Sequence, residues 1–125
     1  MGAFLAAGNY TWQDGQVSTT GATTGTLLAY TLLAVPCTAF IKVWVAGFES
    51  TGPSAFGEEM QYTVRTTGTV ATLVGNPVDQ TQSDAAISTA TAQVSVSGNV
   101  VTVSATGIAL LTIDWTCAAF IIYAQ

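Results

Sequence analysis

The stretch "QVSVSGNVVTVSA" (93–105) constrains the architecture more than any other part of the chain. Gly98-Asn99 is a good two-residue hairpin turn, because both residues tolerate positive φ. If Ser97 pairs with Val100, then Val96 faces Val101, Val94 faces Val103 and Ser95 faces Thr102. Every apolar side chain then meets an apolar one. A slip of one residue would destroy that agreement, so the side-chain pattern and the turn specify the same register.

The rest of the chain reads in the same key. "LLAYTLLA" (27–34) runs up to Pro36, and "AFIKVWVAGFES" (39–50) is rich in β-branched and aromatic residues. "EEMQYTVRTT" (58–67) alternates, with Met60, Tyr62 and Val64 on one side and Glu59, Gln61, Thr63 and Arg65 on the other. "TVATLVG" (69–75) and strands near 91–97, 100–106 and 109–124 complete the set, while "STGPSAFG" (50–57) and "NPVDQTQSD" (76–84) read as loops. No segment carries a 3.6-residue period. The expectation is an all-β domain over 27–125, an antiparallel β-sandwich or jelly-roll-like fold of about seven or eight strands. Residues 1–26 are Gly- and Thr-rich and read as an extended N-terminal arm. The alternative is a flexible tail, but Phe4, Leu5, Tyr10 and Trp12 give the arm side chains to bury on a capsid or neighbouring subunit.

Two strands are apolar on both faces. In the last one, Ile113, Trp115, Cys117, Ala119, Ile121 and Tyr123 share a face; the other passes from Thr112, Asp114 and Thr116 to Ala118, Phe120 and Ile122. Residues 39–48 behave alike, with Ala39, Ile41, Val43 and Val45 opposed to Phe40, Trp44 and Phe48. An antiparallel two-layer domain normally offers one face of each strand to water. Phe40, Trp44, Phe120 and Ile122 are therefore expected to line an oligomer interface, the alternative being a cover supplied by the chain's own arm or loops.

Charge removes several functions. Lys42 and Arg65 are the only cations, against seven acids and a net charge of −5. That set cannot neutralise a phosphate backbone or hold an anionic bilayer, so neither nucleic acid nor membrane is an expected partner. The apolar end of the chain is shorter than the ~20 residues of a membrane span and contains Asp114. No leader is legible in "MGAFLAAGNYTW", and the chain is expected to be complete as written.

Histidine is absent, which removes the commonest general base and metal ligand. Cys37 and Cys117 lack metal-site spacing and read as free thiols in preference to a disulfide. Glu58 and Glu59 are adjacent and would point to opposite faces, so they cannot flank one substrate. Asp79 and Asp84 with Asn76 could meet calcium but lack EF-hand spacing and read as solvated loop acids. Trp44 and Trp115 lie in apolar strands and read as packing residues, whereas Trp12 is freer to stack on a sugar. No catalytic residue, metal or cofactor is expected, and the chain is not expected to be an enzyme. If 39–48 and 109–124 are antiparallel neighbours, a register placing Cys37 opposite Cys117 also puts Lys42 diagonal to Asp114, within pairing reach.

"VWVAGFESTG" (43–52), "EEMQYTVRTTGTVATLVG" (58–75), "SDAAISTATAQVSVSGNVVTVSATG" (83–107) and "TIDWTCAAFIIY" (112–123), in that order, resemble a β-domain common in tailed-phage virion proteins. These include small head-decoration (cement) proteins and fibre tips. The resemblance covers residues 27–123 and departs from the pattern at "IALL" (108–111), where such sequences tend to be polar. It implies a trimerising β-sandwich without catalytic residues, made in the host cytoplasm and resident in the virion. A homotrimeric decoration protein on the outer capsid surface is the favoured reading, with the major capsid protein or a neighbouring virion protein as its other partner. A carbohydrate-binding adhesin or tip domain of a tail or head fibre is the alternative.

Overall fold

The computed structural model describes residues 10–125. Phe4 and Leu5 lie outside them. Eight strands run through the described residues: β1 (Tyr10–Thr20), β2 (Thr24–Thr31), β3 (Cys37–Glu49), β4 (Ser54–Thr66), β5 (Ala71–Ser83), β6 (Thr91–Ser97), β7 (Val100–Thr106) and β8 (Thr112–Ala124), with one 3₁₀ turn at Ala85–Ile87. They form two antiparallel sheets, in the orders β1-β8-β3-β4-β5 and β2-β7-β6, as an all-β sandwich.

The β6–β7 hairpin has the register its sequence demands, with Ser97 opposite Val100, Val96 opposite Val101 and Val94 opposite Val103. Of the two turn residues only Gly98 takes positive φ, at 58°, which suits the first position of a II′ turn. Asn99 instead ties the sheets together. Its amide nitrogen donates to the carbonyls of Leu32, Leu33 and Gly68 at 3.0–3.2 Å, and its amide oxygen accepts from the Thr66 hydroxyl.

The core forms where the alternating faces meet. Ile41, Val43, Met60, Val64, Ile113, Trp115 and Ile121 of the large sheet are buried, as are Leu27, Val103 and Ala105 of the small sheet and Ile87 of the 3₁₀ turn. Close approach of the layers depends on glycine. A Cβ at Gly15 would lie 1.8 Å from the Leu27 carbonyl oxygen, so β2 can approach β1 there only because Gly15 has no side chain.

Three elements differ from the sequence reading. Residues 10–26 are extended, but as strand: β1 pairs with β8 from Tyr10–Ile122 to Thr20–Thr112, and β2 begins at Thr24. "NPVDQTQSD" is mostly strand. β5 continues to Ser83 and absorbs Gly75, Asn76 and Pro77 as an irregularity between the pairs Gln61–Val78 and Thr63–Val74. Gly75 sits at φ 71°, and a proline without an N–H is tolerated because β5 is an edge strand. The loop at 50–57 shortens to a turn, because Glu49 folds back and accepts the amides of Thr51 and Gly52 at 2.8 and 2.7 Å. At "IALL", Leu110 takes φ 70° and is 98% exposed, while the Leu111 carbonyl accepts the Gly21 amide at 2.9 Å.

Candidate functional site

The outer face of the five-stranded sheet changes character along its length. Register sets the rows. Tyr10, Ile122, Phe40, Thr63 and Val74 form one row across all five strands. Trp12, Phe120, Lys42, Gln61 and Val78 form the next. These ten positions make an apolar end with one cation. Trp12 is 58% exposed, Val78 61%, and Tyr10, Phe40, Val74 and Ile122 are also exposed.

The aromatic side chains there hold one another. Trp12 lies 4.4 Å from Phe120, centroid to centroid, and stacks on Trp44 at 5.9 Å; Tyr10 lies 5.6 Å from Phe120. All four residues expected at an interface, Phe40, Trp44, Phe120 and Ile122, occur on this one face. Tyr10 and Trp12, assigned by sequence to a separate arm, join them through the β1–β8 pairing. Val74 and Val78 were missed, because Gly75-Asn76-Pro77 between them read as the start of a loop. Their even spacing with Gln80 and Gln82 was the available signal.

Trp44 marks the border with a polar end. Its indole N–H donates to Glu59 Oε1 at 3.0 Å, and the same oxygen lies 3.2 Å from Lys42 Nζ, which sits 5.4 Å from the Trp44 ring centroid. Lys42 is opposite Phe120, not Thr112, so the expected pairing with Asp114 is corrected. Asp114 is opposite Phe48 and accepts a hydrogen bond from the Ser18 hydroxyl. Past Trp44, a groove of about 490 Å³ opens over Ala46, Gly57 and Ala118, edged by Gln80, Gln82 and Thr116. Side chains this short leave the space that longer ones on neighbouring strands enclose.

Cys37 and Cys117 are free and buried. Cys117 is opposite Val45 and Cys37 opposite Thr66, far apart along β3, and burial pushes both thiols up. Among the described residues no three His, Cys, Asp or Glu side chains cluster as a metal site. The Asp84 carboxylate accepts the Ala55 amide at 2.8 Å, and Asp79 lies within β5.

On the inner face at the same edge, Glu58 is opposite Thr81, and Asp79 is one inner-face position along β5, opposite Met60. Burial first, then the Asp79 charge, push the Glu58 carboxyl up; contacts with the Ala92 backbone and Thr81 oppose them. Glu58 and Asp79 therefore share a face, while Glu59 is on the opposite one, as its adjacency to Glu58 requires.

No family model and no curated protein matches the chain. One solved structure with a similar fold is the tailspike protein of Acinetobacter baumannii phage AM24, at 9% identity and a TM-score of 0.48. The match covers 91% of this chain and 26% of the tailspike, so the chain spans about a quarter of that protein. The expectation that the chain is not an enzyme is corrected here. Glu58 and Asp79 stand on one face, so the lack of histidine does not establish that activity is absent. This arrangement assigns no activity.

Proposed function

We propose that the chain is a structural β-domain of a tailed-phage virion, a homotrimeric decoration protein bound to the outer capsid surface. The observation that carries the proposal is the apolar end of the large sheet's outer face. Half-exposed aromatics of ~200 Å² each, with Ile122, Val74 and Val78, make a patch on the order of 500 Å². That is near the upper limit of what a monomer leaves open. The patch is also electrically quiet, since Lys42 is paired with Glu59. The sequence resemblance to virion β-domains supports the same reading, and the low charge of the chain suits a surface covered by neighbours.

In this reading Phe40, Trp12, Phe120 and Ile122 are covered by a second copy or by the major capsid protein. Phe40 and Ile122 are 40% and 44% exposed, so covering what remains of them contributes about 1–3 kcal/mol per subunit. Sedimentation of the purified protein at micromolar concentration tests self-association, with a trimer expected. Phe40→Ser with Ile122→Ser should give a folded monomer that no longer decorates particles. A folded wild-type monomer that also fails to bind capsids would overturn the proposal.

A further inference from the structure

We infer that the groove beside Trp44 is a binding site for an uncharged, polyhydroxylated ligand, a neutral glycan. Four strands build it: Trp44 and Ala46 from β3, Gly57 and Glu59 from β4, Gln80 and Gln82 from β5, and Thr116 and Ala118 from β8. Its size, about 490 Å³, is within the usual range for small-ligand sites.

The lining chemistry selects the ligand class. The groove bottom is apolar and shallow, since Ala46, Gly57 and Ala118 carry at most a methyl group. Trp44 is an apolar wall, and its ring is held by Trp12 stacked on it and by the hydrogen bond to Glu59. Gln80 and Gln82 follow each other on one face of β5, opposite Glu59 and Gly57. Each offers a donor pair and an acceptor. Thr116 adds a hydroxyl from the far side. Alternating donors and acceptors beside an apolar wall match the hydroxyl edges and C–H faces of a sugar ring.

Charge excludes the other classes. Of the two glutamates that line the groove, Glu59 is already bonded to Lys42 and Trp44, and Glu58 belongs to the inner face. No cation is left over for a phosphate or a carboxylate ligand, and the amides and carboxylate would leave a wholly apolar ligand with unmatched polar groups. The groove is on the polar side of Trp44, away from the row of Phe40 and Ile122. It therefore does not depend on the assembly reading.

Gly57 supplies the decisive variant. A Cβ built there meets nothing within 4 Å, and its φ is not positive. Gly57→Leu therefore fills the groove without disturbing the fold. Titrate the full-length protein with neutral oligosaccharides of glucose, N-acetylglucosamine or rhamnose, following side-chain amide resonances of Gln80 and Gln82 and tryptophan fluorescence. At least one should bind saturably, with affinity falling about tenfold or more in Gly57→Leu and in Gln80→Ala with Gln82→Ala. Phe40→Ser with Ile122→Ser should bind as wild type does, which separates this site from the assembly face. The proposal is overturned if no oligosaccharide shifts those amides at millimolar concentration, if Gly57→Leu binds unchanged, or if inorganic phosphate competes.

Discussion

Gly47 and Trp115 are opposite each other on the inner face, and a Cβ on Gly47 would fall 2.7 Å from the indole ring. Trp115 is almost wholly buried, and its N–H donates to the Thr19 hydroxyl at 3.0 Å. The indole lies across β3 only because that position has no side chain. Gly47→Ala must displace the ring, and with it the hydrogen bond and the edge contact with Phe56. The expected loss is about 1–3 kcal/mol, the usual cost of overpacking, read from chemical denaturation. Unchanged stability would show that the ring has room to move.

Asn99 is the second point of leverage. Three carbonyls and the Thr66 hydroxyl converge on its side chain, linking the β6–β7 turn to the segments before β3 and after β4. Asn99→Ala takes the side-chain donor from the three carbonyls and should cost about 1–3 kcal/mol. Asn99→Asp keeps the shape but turns a donor into a charge facing carbonyl oxygens, so it should be at least as damaging. Denaturation midpoints of the two variants check this order. An aspartate variant as stable as wild type would mean that the bonds at the turn contribute nothing.

How much of this was legible in the sequence follows from what constrains each element. The β6–β7 register was legible because a slip of one residue sets Ser95 and Gln93 against Val101 and Val103. The β3–β8 neighbour relation could be supposed from the sequence but not read from it, and its register was not legible either. Alternation fixes which face a residue takes and is blind to even shifts, so a Cys37–Cys117 alignment looked as sound as the observed Val45–Cys117 pair. β5 was cut short because Gly75-Asn76-Pro77 has turn composition, and an edge strand accommodates those residues where a central one would not. Tyr10 and Trp12 read as part of a free arm, whereas they belong to β1. Nothing local in "YTWQDGQVSTT" announces that β8 supplies its partner.

The two charges of the greasy strands test the corrected register. Lys42 and Glu59 are in contact with side chains 35% and 38% exposed, while Asp114 is bonded to Ser18. A double-mutant cycle between Lys42→Ala and Glu59→Ala should give a coupling below about 1 kcal/mol, as for part-exposed pairs. The cycle between Lys42→Ala and Asp114→Ala should be additive. Coupling in the second cycle and none in the first would mean that β3 and β8 pair in a different register.

Glu58 gives the chain a pH dependence of a definite sign. Its carboxyl is raised above the ordinary glutamate value, chiefly by burial and then by Asp79. A raised carboxylate pKa means that the folded state binds the proton more tightly than the unfolded chain does. Glu58 therefore favours folding at pH below the ordinary glutamate value, and this contribution is lost as pH rises through the elevated value. Glu58→Gln, which keeps the size and removes the charge, should raise the melting temperature at neutral pH and change it little in mild acid. Asp79→Asn should act in the same direction but less, because the Asp79 charge is the smaller of the two causes. Melting curves of wild type and both variants across that range decide the matter. If Glu58→Gln destabilised the protein at neutral pH, the contacts with Thr81 and the Ala92 backbone would outweigh burial, and the carboxylate would be a stabilising group in its charged form.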